Sequence, residues 1–156
     1  MSQVAAGTAA IATVLNGVAA GIMLSTVVGI VPMMLTQPYR GYVQTVQFLW
    51  PRYDPMMPIL NAGALVLAGF SAVAAGAGPA RPVLALAAAL LATVMAISIT
   101  KNVPVNRYVS GLDPDRPPAD WDQVDPRREW QRWNLLRTVI AIGAFAANVT
   151  GTALLH

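Results

Sequence analysis

The sequence predicts an all-α protein, a bundle of four transmembrane helices with two polar connectors on the same side of the membrane. Three observations carry this reading. The chain of 156 residues is 56 % hydrophobic and 11 % charged, whereas soluble domains average roughly 25 % charged. Four stretches each approach the ~20 apolar residues an α-helix needs to cross a hydrocarbon core of about 30 Å, where every backbone amide must find its partner inside the segment. The charges are also segregated: Lys101 to Arg137 contains seven of the ten basic and six of the seven acidic residues. Continuous apolar runs without alternation exclude a transmembrane β-barrel.

The first helix is expected over residues 8–35. No basic segment precedes it, and its apolar run exceeds a signal-peptide core, so it is read as retained rather than cleaved. Gly17 and Gly21 have the GxxxG spacing that lets another helix approach, although in so Ala-rich a chain small residues also follow from composition alone. Gly29 and Pro32 predict a bend or a stop before Gln37 and Pro38. Between Gln37 and Pro58 the first connector crowds Tyr39, Tyr42, Phe48, Trp50 and Tyr53. These aromatics suit the headgroup level, or else a lid over a flat aromatic ligand. Tyr39, Tyr42, Val43 and Val46 have helical spacing, which predicts a short amphipathic helix lying on the membrane. Pro51, Pro55 and Pro58 then turn the chain into the second helix, residues 58–77. A tight turn from Gly76 leads to Pro82, suited to open the third helix over 82–100, so these two helices are antiparallel neighbours.

The second polar connector, residues 101–134, passes through turns between Asp113 and Pro118. Near its end Asp125 can cap a helix, Pro126 can open it, and Glu129 lies at the positive end of the dipole. Trp130, Trp133, Asn134 and Arg137 then share one face of a helix that becomes the fourth span, 135–155. Entering lipid, Asn134 and Arg137 need protein partners or a wet cavity, since a charge at that depth costs ~2.5 to 3.5 kcal/mol. Asn102, Asn106 and a connector carboxylate are the expected partners, and snorkelling of Arg137 to the headgroups is the alternative. Asn102 and Asn106 share a side if the third helix continues past Pro104, which opposes it.

Composition also bounds the chemistry. There is no cysteine, and the single histidine is the terminal His156, so a His-based iron, copper or haem site lacks ligands and no metal is expected. Met33-Met34 and Met56-Met57 suit lipid contact better than copper(I). Basic residues interleaved with acids exclude a nucleic-acid face. Eight of the ten basic residues fall in the two long connectors and a ninth, Arg137, borders the second. The positive-inside rule therefore places residues 36–57 and 101–134 in the cytoplasm and both termini outside, in a multi-pass protein of the plasma membrane.

Ile-Thr-Lys-Asn-Val-Pro-Val-Asn (Ile99 to Asn106), Trp121, and Arg-Glu-Trp-Gln-Arg-Trp-Asn-Leu-Leu-Arg (Arg128 to Arg137) resemble the DUF1772 family. These small four-helix membrane proteins include anthrone oxygenases of aromatic polyketide pathways. The resemblance implies oxidation of an anthrone-like phenolic ring system to a quinone by O2, without an organic cofactor or metal. In that reading Arg137 stabilises an oxyanion, Asn102, Asn106 and Asn134 orient ring oxygens, and Trp130 or Trp133 stacks on the ring, with Tyr108 and Trp121 also contacting substrate. The base is not identified; Glu129 and Asp125 are nearest in sequence. The partners implied are the bilayer, a lipophilic aromatic and O2, with self-association or a membrane complex as the macromolecular options. The alternative from another class is a non-catalytic membrane subunit whose charged connector docks a partner. A transporter fits less well because, beyond Arg137 at the start of the fourth, the spans lack charge.

Overall fold

A computed structural model of the chain describes residues 2–156. Its elements are α1 (Ser2–Ser25), a first π-turn (Thr26–Ile30), α2 (Val31–Thr36), α3 (Tyr39–Tyr53), α4 (Met56–Ala74), α5 (Ala80–Ile97), a second π-turn (Ser98–Asn102), α6 (Val103–Ser110), α7 (Trp121–Val124) and α8 (Arg127–Ala153). Four helical segments, Gln3–Thr36, Met56–Ala74, Ala80–Ser110 and Trp121–Ala153, the last broken at Asp125 and Pro126, are long and apolar enough to cross a membrane. The protein is a multi-pass, all-helical membrane bundle.

The two π-turns explain why the first and third helices do not stop at their prolines. Val31 and Val103, each one residue before a proline, donate their amides to the carbonyls five residues back, Thr26 and Ser98. A proline cannot donate, and its ring crowds the carbonyl four residues earlier; widening the preceding turn by one residue relieves that crowding. The third helix therefore runs through Pro104 to Ser110, and the fourth begins at Arg127. The non-helical connector narrows to residues 111–126, interrupted by α7. At the opposite end Gly76 has φ +71°, a conformation that glycine adopts without a Cβ penalty, and Pro82 falls in the first turn of α5, where amides have no helical acceptor.

The bundle is up-down-up-down, each helix antiparallel to its neighbours. Thr8 Oγ1 meets Ser71 Oγ at 2.7 Å between α1 and α4, and Thr13 Oγ1 meets Thr152 Oγ1 at 3.2 Å between α1 and α8. Its interior is lined by small residues. Ala5, Ala9, Ala12, Asn16, Ala19 and Met23 of α1 are buried, spaced alternately four and three apart as in a left-handed coiled seam. Val14, Val18, Val66, Phe70, Val139 and Val149 face outward. Lipid is as apolar as leucine, so this packing rests on close approach of small side chains rather than on hydrophobic burial. Gly17 is one such approach, since a Cβ there would lie 2.9 Å from Phe145; Gly21 faces open space.

The 19 residues of α4 span roughly 28 Å at about 1.5 Å per residue, close to the hydrocarbon thickness. The other three helices continue beyond its start. Over that extra length α3 takes the place of α4: Tyr42, Val43 and Val46 pack with Met34, Val109 and Trp121 into one buried cluster. The amphipathic helix expected on the membrane surface is instead the fourth wall of an extension of the bundle, because its apolar face finds α2, α6 and α7.

Candidate functional site

Where α3 replaces α4 the four walls do not close, and a cavity of about 190 Å³ remains. It exceeds the roughly 150 Å³ of an apolar cavity that admits benzene. Most of its wall is apolar, including Ile22, Met23, Leu49, Trp50, Met57 and Met95, while Asp54, Asn61, Ser98, Asn106, Trp130 and Arg137 supply polar groups.

Arg137 is held by neutral partners. Its Nη1 donates to Ser98 Oγ at 3.0 Å, and its Nε and Nη2 donate to Asn134 Oδ1 at 3.1 and 2.8 Å. Among the described residues no carboxylate lies within ion-pair distance of it. Asp115 pairs with Arg40 at 3.3 Å, Asp113 with Arg116 at 3.9 Å, and Asp125 with Arg127. The partners expected for Arg137, namely Asn102, Asn106 and a connector carboxylate, are thus replaced by Asn134 and Ser98. One lies three residues back on the same helix face, and the other faces Arg137 across α5 and α8 at the start of the second π-turn.

Of the eight residues singled out in the sequence, Asn106, Trp130 and Arg137 line the cavity. Trp130 is 9 % exposed, and its indole N–H has no acceptor among the described residues. Asn134 is fully buried behind Arg137, with Oδ1 engaged and Nδ2 unpartnered. Asn102 is also fully buried outside the cavity lining; its Nδ2 donates to the Trp130 carbonyl at 3.3 Å and its Oδ1 is unpartnered. Trp133 lies outside the lining, with the Lys101 ammonium 4.9 Å from its ring centroid. Tyr108 is exposed. Trp121 packs edge-on against Tyr39, with ring centroids 4.7 Å apart, in the cluster beneath α3.

Arg127 serves architecture. Its guanidinium donates to Asp125 Oδ2 at 2.8 Å through Nε, and through Nη1 to the carbonyls of Met34 and Gln37 at 3.2 and 2.7 Å. It thereby satisfies carbonyls that the end of α2 leaves open, while Asp125 Oδ1 accepts the Arg127 amide at 3.0 Å. The expected cap is displaced by one residue: Pro126, not Asp125, is the N-cap, α8 starts at Arg127, and the Asp125 bond to the Arg127 amide closes a turn just outside the helix. Asp125 is therefore committed to Arg127, and Glu129 is exposed, which leaves neither carboxylate at the cavity. Among the described residues no three His, Cys, Asp or Glu come together as a group that could hold a metal ion.

Sequence reasoning did not single out Asp54, Asn61 or Ser98. Asp54 had a readable signal: it is the single acidic residue outside the charged connector, and it stands before Pro55 at the turn into the second span. Asn61 was readable as an isolated amide inside an apolar run.

The family model described as anthrone oxygenase matches residues 48–147. That segment contains most of the cavity wall, from Leu49 to Arg137. The chain matches no curated protein and no solved structure. The chain belongs to the anthrone oxygenase family.

Proposed function

We propose that this family member is a membrane oxygenase that takes a lipophilic phenolic or polycyclic aromatic into the cavity between α3 and α4 and oxidises it to a quinone with O2. The observation that carries the proposal is Arg137, a cation on the wall of a mainly apolar cavity, positioned by Asn134 and Ser98 and, among the described residues, neutralised by no carboxylate. Keeping such a charge is costly, and a developing oxyanion is the ligand that repays it. Trp130 offers a second, unused donor.

The chemistry asks little beyond this. Removing a proton from the methylene carbon of an anthrone gives an anion delocalised onto the ring oxygen. That anion transfers one electron to O2, and the resulting radical and superoxide combine as a peroxide at the same carbon. Loss of the second C–H proton with O–O cleavage leaves a carbonyl and one water. The substrate supplies the electrons, so no cofactor enters the scheme. Asn106 orients ring oxygens, and the apolar wall excludes water from the anion. Asn102 and Asn134 act from behind the wall.

The basic residues of the two long connectors support a cytoplasmic location for them in a plasma-membrane protein, and on this proposal substrate enters from that face. The test is oxygen uptake by purified protein with emodin anthrone, with quinone followed by absorbance. Uptake well above the spontaneous rate is expected; uptake equal to it would overturn the proposal. A docking role has less support, because Arg127, one of the connector arginines such a role would use, is engaged within the fold.

A further inference from the structure

We propose that Asp54 is the base that removes the substrate proton. The inference rests on the oxygenase reading above and supplies the group that reading lacks. Among the described residues Asp54 is the one carboxylate lining the cavity. It sits in the break between α3 and α4, its backbone amide donating to the Trp50 carbonyl at 2.9 Å, which fixes the main chain and leaves the side chain free. Among the described residues its carboxylate has neither a hydrogen-bond donor nor an ion-pair partner. Every other acid lies in the charged connector, away from the cavity lining.

The placement suits the reaction. Asp54 and Arg137 line one cavity yet do not form an ion pair, so a ligand fits between them with both charges available. In an anthrone the acidic methylene and the carbonyl lie on opposite sides of the central ring. A base and an oxyanion acceptor for such a molecule must therefore stand apart on opposing walls. Asp54 comes from the α3–α4 junction, and Arg137 comes from α8 on the other side of the bundle. Asp54 is half-buried, so the proton it takes can pass on to water, while Arg137 and Trp130 hold the oxygen.

Proton abstraction can be read without oxidation. Under argon in D2O, the methylene of emodin anthrone exchanges hydrogen for deuterium, and mass spectrometry measures the rate. Wild-type protein is expected to accelerate exchange above buffer, and Asp54→Asn to lower that acceleration about 10²-fold or more, the typical contribution of a positioned base. Thermal unfolding is expected to be unchanged, since the carboxylate bonds nothing in the fold. Formate added to Asp54→Ala is expected to restore part of the exchange, which a merely structural residue would not permit. Exchange by Asp54→Asn at the wild-type rate would overturn the assignment, as would a wild type that does not exceed buffer. Exchange without oxygen uptake would support the base and sink the oxygenation step instead.

Discussion

Arg137 illustrates how a single residue can be held at the edge of lipid without an ion pair. Three of its donor contacts end on two neutral oxygens, which orient the guanidinium and leave its charge uncompensated. Arg137→Ala is expected to lower kcat by ~10² to 10³, the loss typical for one oxyanion donor, with helix content by circular dichroism unchanged. Arg137→Lys should recover only part of the rate, since a point charge cannot bond both Asn134 and Ser98. Tyr42 shows the converse case, a group whose charge the fold suppresses. Burial, and then the negative charge of Asp125, push its phenol well above the ordinary range, against a smaller opposing pull from Arg127. An unfolded chain releases that proton near pH ~10, whereas the folded chain keeps it. Tyr42's contribution to stability is therefore complete below about pH 10 and is lost as pH rises toward its folded value. Tyr42→Phe should flatten the alkaline limb of a plot of unfolding temperature against pH; an identical limb would refute this assignment.

At the scale of the helix, packing depends on size more than on polarity. Gly151 of α8 lies against Leu84 of α5, and a Cβ there would come within 2.7 Å of the Leu84 Cγ. Leu84 is fully buried and has little room to move. Gly151→Ala should destabilise by about 1 to 3 kcal/mol through overpacking. Gly21→Ala, with nothing within 4 Å, should be neutral or stabilising by up to ~1 kcal/mol from helix propensity. Thermal unfolding of the two variants in one detergent separates the predictions, and equal shifts would contradict them. The same physics explains what could be read from the sequence. Hydropathy located all four spans, but could not tell inside from outside, because Ala12 facing the bundle and Val14 facing lipid are both apolar. Asn16, Asn61 and Asn148, isolated polar residues now seen buried, mark the inner face. Continuation past Pro104 was opaque because a π-turn depends on the backbone finding a wider register, which no side chain announces. At the cavity, Asn106, Trp130 and Arg137 stand out in sequence because polar residues at a lipid boundary are conspicuous. Asp54 is conspicuous as the one acid outside the charged connector, but tertiary structure brings it to them, where α3 folds over the start of α4.

For the whole molecule, the mismatch in helix length determines where a site can exist. α4 is just long enough to cross the hydrocarbon, its three neighbours overshoot, and α3 must fill the missing quarter, so the cavity falls at that junction, on the connector side. Orientation then decides which compartment the cavity faces. Residues 36–57 and 111–126 emerge at the cavity end, and the tight turn around Gly76 emerges at the other. Arg81 is the one basic residue near that turn, while the connector side holds the remaining nine, and the orientation proposed from the positive-inside rule predicts that the cavity opens at the cytoplasmic face. The absence of cysteine makes this directly measurable. Ala77→Cys and Asp120→Cys each place one thiol at an exposed position on opposite ends of the bundle. In intact cells a membrane-impermeant maleimide should label Ala77→Cys, and should label Asp120→Cys only after permeabilisation. The reverse pattern would invert the topology and deliver substrate from outside the cell, leaving the geometry between Asp54 and Arg137 untouched.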